Sequence, residues 1–149
     1  MEHKTLSEIR DVAHVMRGWG TAKKLSRRER LERWAAVLEQ DPTRPLKPLV
    51  RVEFMPKRER LLLRRDESPL AVAFADPILR QDGLGADTLG AAMDFFDLSD
   101  REAHYLLCDC HYHGGMMMTP ETVAKRLHGV ASRVTFRELW NRMRSWATA

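Results

Sequence analysis

Four times along this chain a serine or threonine is followed three residues later by a glutamate: Thr5-Leu-Ser-Glu8, Ser26-Arg-Arg-Glu29, Ser99-Asp-Arg-Glu102 and Thr135-Phe-Arg-Glu138. In this capping box the hydroxyl accepts the amide hydrogen of the third helical residue while the carboxylate accepts that of the cap. Two of the amides that every helix start leaves without partners are met in this way. Behind each box the apolar residues recur every three or four positions, the spacing of a helix with one buried stripe. A chain that repeats this combination is expected to be mainly α, a compact single-domain bundle of about six to eight short helices.

Taken in order, the first helix is expected at 6–18, with Leu6, Ile9, Val12, Ala13, Met16 and Trp19 at helical spacing and Gly18 and Gly20 as its stop. The second opens at Ser26, turns Leu31, Trp34, Ala35 and Leu38 inward and its arginines and glutamates to water, and ends at Asp41-Pro42. The segment 42–75 is read as an irregular connector, because Pro42, Pro45, Pro48 and Pro56 punctuate it. Within 49–64, Val50, Val52 and Phe54 alternate with Arg51 and Glu53 as in a short strand or hairpin. Pro56 could equally open a helix carrying Lys57 to Arg65, the reading slightly preferred. Ser68 to Ala75 is read as a short apolar run, extended or irregular, that crosses the core. Asp76-Pro77 starts a helix, Asp87 caps another, and Gly90 inside that second one points to close approach by a neighbour. Thr119-Pro120 opens a helix with Val123, Ala124, Leu127, Val130 and Ala131 inward. The last helix carries the stripe Phe136, Leu139, Trp140, Met143 and Trp146, suited to a core or to a dimer. The organisation is thus 1–41 as an amino-terminal helical pair with a basic second helix, 42–75 as connector and 76–149 as helical body, within one domain.

The densest chemistry follows the third capping box, where His104, Cys108, Cys110, His111 and His113 fall within ten positions. If the helix continues at about 100° per residue, Ala103, Leu106, Leu107 and Cys110 face the core. His104, Cys108 and His111 then lie at i, i+4 and i+7 on an adjacent face, where two imidazoles and a thiolate can meet one cation. Zinc suits such donors, with His113, Cys110 or water completing the shell, and haem is the other cofactor such a face could serve. Against this stand the burial usual for free cysteine and the attraction of histidine to a helix carboxyl end. The spacing also lacks the separated ligand pairs of zinc modules.

The formal charge is +4, and its excess lies near the amino end in Lys23, Lys24, Arg27, Arg28 and Arg30. These five are a candidate surface for an acidic partner, or a solvated salt-bridged helix face. Two cysteines, a charged start and no apolar run of membrane length lead to the expectation of a cytoplasmic protein with no membrane association. Phosphate-cradling glycine loops, H-E-x-x-H, G-x-S-x-G and the dinucleotide fingerprint are all missing, which leaves enzyme status undecided and leaning to no. The leading expectation is a small intracellular non-enzymatic helical module that binds or regulates a protein partner. A metal- or haem-binding protein using His104, Cys108 and His111 is the first alternative. The second comes from residues 122–140, which loosely resemble a helix-turn-helix segment, with Ala124 in the first helix, a turn at Gly129-Val130, and Arg137, Asn141 and Arg144 on the second helix. The interval from Ala124 to Gly129 is longer than that motif carries. The resemblance implies a DNA-binding regulator with an atypical motif at 120–147.

Overall fold

The computed structural model of the chain describes residues 23–113 and 117–147. The helix expected at 6–18, its Thr5–Glu8 box, and residues 114–116 lie outside the described residues. The first described helix, α1 (Arg27–Glu39), begins as its sequence requires: Glu29 N–H donates to the Ser26 hydroxyl at 3.2 Å, and Ser26 N–H donates to the Glu29 carboxylate at 2.7 Å. The Ser26 amide and hydroxyl hold the Glu29 carboxyl below its ordinary range. After α1 come α2 (Lys57–Leu61), α3 (Pro69–Ala75), α4 (Pro77–Asp82), α5 (Leu89–Phe96), α6 (Asp100–Leu107), α7 (Pro120–Ala131) and α8 (Phe136–Ala147), with 3₁₀ turns at Val52–Phe54 and Asp109–His111. The fold is mainly helical, and among the described residues there is no sheet.

The most extensive pairing joins α1 to α7. Leu31, Trp34, Ala35 and Leu38 of α1 and Val123, Ala124, Leu127 and Val130 of α7 are all buried, as their spacing predicts. Trp34 stacks on Phe96 with ring centroids 4.6 Å apart, and its indole N–H donates to the Pro69 carbonyl at 2.9 Å. Burying an indole with its one donor satisfied retains the apolar gain without a desolvation penalty.

The polar side of α1 departs from expectation. Arg27, Arg30 and Arg33 turn back onto the body instead of facing water. Arg27 donates to the carbonyls of Asp97 and Val130 and pairs with Glu102 at 3.2 Å. Arg30 pairs with Asp82 at 2.6 Å, donates to the Phe95 carbonyl and lies over the Phe95 ring. Arg33 grips both oxygens of Asp76, at 2.6 and 3.1 Å. His128 on α7 closes the same seam, its Nδ1 2.7 Å from Glu32 and its Nε2 2.9 Å from Glu39.

The segment 42–75 holds more order than a connector. Leu49 N–H donates to the Leu107 carbonyl at 2.8 Å, and Asp109 N–H donates back to the Leu49 carbonyl at 2.9 Å, an isolated parallel bridge to Cys108. That bridge takes up the extended pairing at Leu49, and Arg51 then turns with φ of 57° into the 3₁₀ turn. The strand or hairpin expected over 49–64 is therefore not formed. The helical alternative holds in shorter form, since α2 ends at Leu61 and the Leu63 carbonyl accepts from Leu89 N–H at 2.8 Å at the start of α5. Ser68 to Ala75 is a helix and not an extended run: the Ser68 hydroxyl accepts from Ala71 N–H, and Pro69 occupies the first turn. Thr88, not Asp87, caps α5, and Asp87 pairs with Arg64 instead. Gly90 does meet a neighbour, because a Cβ there would stand 2.9 Å from the Leu61 carbonyl oxygen.

Candidate functional site

The third capping box forms as its sequence predicts, with Ser99 and Glu102 satisfying each other's amides. The helix it opens is shorter than the coordination scheme requires. α6 stops at Leu107, and Cys108 is extended (φ −93°, ψ 143°) because its neighbours bridge to Leu49. His104, Cys108 and His111 consequently share no helix face, which removes the geometric basis of the expected zinc or haem site. The roles of the two cysteines are exchanged. Cys108 is fully buried, and burial, then the neighbouring Cys110, Asp109 and Glu53, push its thiol up to about 12. Cys110, expected in the core, is half-buried.

His104 and His111 do remain close, on the wall of a surface cavity with Arg60, Asp100 and Arg101. Burial, then Arg126, His104 and His113, hold the His111 imidazole below its ordinary range. Two guanidinium groups and one carboxylate share that wall, so it offers a cation no net negative charge. Among the described residues, the donors that do converge are Glu53, Asp109 and Cys110, whose ligating atoms all lie within 4.8 Å of one another. Glu53 was missed from sequence because only the long-range bridge at Leu49 carries it beside the second 3₁₀ turn. The Asp109 Oδ1 is sealed from solvent and has no hydrogen-bond partner among the described residues. The turn itself is clamped. Arg126 lies between the rings of Tyr105 and Tyr112, 4.3 and 4.1 Å from their centroids, and donates to the carbonyls of Tyr105 and His111.

The larger surprise is α8. Its capping box forms, Thr135 N–H donating to Glu138 at 2.9 Å and Glu138 N–H to the Thr135 hydroxyl at 3.2 Å. Its stripe, however, is left open, and no described element packs extensively on it. Leu139, Trp140 and Met143 are 47%, 50% and 51% exposed, and Phe136 and Trp146 are 77% and 85% exposed. Phe136 and Trp140 stack on each other with centroids 6.2 Å apart. Leu139, Arg142, Met143 and Trp146 line a shallow cavity of about 380 Å³. The helix-turn-helix boundary also moves: Gly129 and Val130 are inside α7, and the turn falls between Ala131 and Phe136.

Of the expected basic partner surface, Arg27 and Arg30 are engaged as described above. Lys23, Lys24 and Arg28 stay exposed, with Arg28 3.9 Å from Glu32. No helix among the described residues is long and apolar enough to cross a membrane. No protein-family model, curated protein or solved structure matches this chain.

Proposed function

We propose that this chain is a non-enzymatic helical interaction module that holds a protein partner against the apolar face of α8. One observation carries the reading: Phe136, Leu139, Trp140, Met143 and Trp146 line one face of a capped helix, each about half exposed or more. Scattered apolar residues are ordinary on surfaces, whereas a contiguous aromatic patch marks a place of association. Covering five such side chains is worth on the order of 5 kcal/mol before the costs of association. The two tryptophans are of the type that dominates binding energy at interfaces. Selection of displayed helical peptides against the full chain tests this. Wild type is expected to enrich peptides that the double variant Leu139→Glu/Trp140→Glu does not, while the two proteins melt together because the face is exposed. Equal enrichment on both proteins, or unfolding of the variant, overturns the reading.

A second reading, that of a transition-metal centre, is favoured by the convergence of Glu53, Asp109 and Cys110 beside an orphaned carboxylate oxygen. One thiolate and two carboxylates would suit zinc, with water as fourth ligand. Cobalt(II) added to the purified chain should give a thiolate charge-transfer band that Cys110→Ser abolishes and Cys108→Ser leaves intact. A band absent from wild type, or lost with Cys108 instead, removes this reading.

A further inference from the structure

We infer that the partner on α8 is an amphipathic helix whose flanks carry aspartate or glutamate, seated between Arg137 and Arg142. The inference rests on the reading that α8 docks a protein, and it names that partner's chemistry.

At about 100° per residue, the five apolar side chains of α8 span an arc of roughly 120°. Arg137 and Arg144 border one edge of the arc, beside Trp140, and Arg142 borders the other, beside Trp146. Asn141 and Ser145 take the far side. The sole acid of the helix, Glu138, is held by the Thr135 amide in the capping box. Between Arg133 and Trp146 the sequence has four arginines, at 133, 137, 142 and 144, against that one glutamate. Arg137 and Arg142 are exposed, and neither has an ion-pair partner among the described residues. The apolar stripe therefore runs between two positive rims.

From outside this chain, three occupants could cover such a face, and charge and shape together separate them. A second copy of this chain, stripe against stripe, would set arginine rims against arginine rims, and like charges across an interface cost affinity. A lipid surface would accept the charge, but a bilayer is flat at this scale. The shallow, open hollow bordered by Leu139, Arg142, Met143 and Trp146 gives an apolar side chain a place to seat. A helix with apolar knobs for the cavity and carboxylates along its flanks meets both features. Guanidinium groups bind carboxylates through two parallel hydrogen bonds, so arginine rims give register as well as attraction.

The test is a displayed library of helical peptides with a constant leucine and phenylalanine stripe, its flanking positions drawn equally from Glu, Lys and Gln. On the wild-type chain at low salt, Glu is expected to rise about tenfold over Lys at the flanks. The variant Arg137→Glu/Arg142→Glu should reverse that preference toward Lys. If peptides are enriched through the stripe while flank composition stays at its input, α8 docks a protein and the acidic partner falls. If no peptide is enriched on wild type, both fall. Sedimentation of the chain alone and tryptophan emission with phosphatidylserine vesicles complete the test. Self-association that Trp146→Glu dissolves assigns the face to a second copy, and a vesicle-induced blue shift without peptide enrichment assigns it to a membrane; either overturns the inference.

Discussion

Gly90→Ala and Gly129→Ala make the same chemical change on two helices, and the structure gives them opposite signs. Gly129 lies exposed in α7, where an added Cβ meets nothing within 4 Å. Alanine there gains only the conformational advantage over glycine in a helix, about 0.5–1 kcal/mol. Gly90 lies in α5, where the same Cβ would come to 2.9 Å from the Leu61 carbonyl oxygen and 3.1 Å from the Leu61 Cβ. The first of these contacts is with backbone, so no rotamer change relieves it, and α2 must move. Overpacking of this kind costs about 1–3 kcal/mol. The same displacement pulls on the bond from Leu89 N–H to the Leu63 carbonyl, 2.8 Å long and two residues further on. The clash therefore outweighs the propensity gain, with a net loss of about 1–2 kcal/mol. For a chain of this size each kcal/mol moves Tm by about 2–4 °C. Thermal melts followed by far-ultraviolet circular dichroism should place Gly90→Ala about 2–8 °C below wild type and Gly129→Ala about 1–4 °C above it. A Gly90→Ala variant that melts above wild type would refute the close packing of α2 on α5.

The His128 imidazole is held above its ordinary range by its hydrogen bond to Glu39, with burial opposing and Glu32 adding to the effect. Its contribution is thus fully present below about pH 6.5 and fades as pH rises through the raised folded-state value. With all three side chains more than a third exposed it is worth no more than about 1 kcal/mol. Urea titrations from acid to alkaline pH should show this loss in wild type and not in His128→Gln, and identical slopes would discredit the clasp. Burial pushes the Asp76 carboxyl up, but the Arg33 guanidinium, the Leu79 amide and Arg80 outweigh it and hold it below its ordinary range. Its stabilisation is present above about pH 4 and is lost as pH falls through the folded value. Asp76→Asn should cost about 2–3 kcal/mol at neutral pH in chemical denaturation, and a cost under about 0.5 kcal/mol would mean the pair with Arg33 is not formed. Of the two thiols, Cys110 should label slowly in the native chain and Cys108 only after unfolding. Equal labelling rates, read by mass spectrometry, would show that Cys108 is not sealed.

The parts of the fold that local chemistry decides were open to reading from sequence. The boxes at Ser26, Ser99 and Thr135 and the Thr119-Pro120 and Asp76-Pro77 starts depend on residues three positions apart, and all form as read. α3 carried the same signal in Ser68-Pro69, but at seven residues it is too short for a stripe to show. The candidate site was harder to see because its geometry is set from far away. Nothing near Cys108 announces that Leu49 will stop the helix there, and Glu53 reaches Asp109 only through that bridge. Periodicity located the stripe of α8 correctly, yet a stripe says only that a face is apolar, not what lies on it. Arg27 and Arg30 read as solvated for a related reason, since their acceptors on Asp97, Glu102, Val130, Asp82 and Phe95 are more than fifty residues away.

The seam between α1 and α7 has a consequence for how the chain is made. Arg27 and the Val130 carbonyl it reaches are separated by 103 residues. At a synthesis rate of about 5–20 residues per second, the first described helix leaves the ribosome roughly 5–20 s before its main partner exists. Throughout that interval Leu31, Trp34 and Leu38 have no α7 to lie against. A nascent chain of this design is exposed to chaperones and to aggregation throughout that interval, and its body closes only when α7 has emerged.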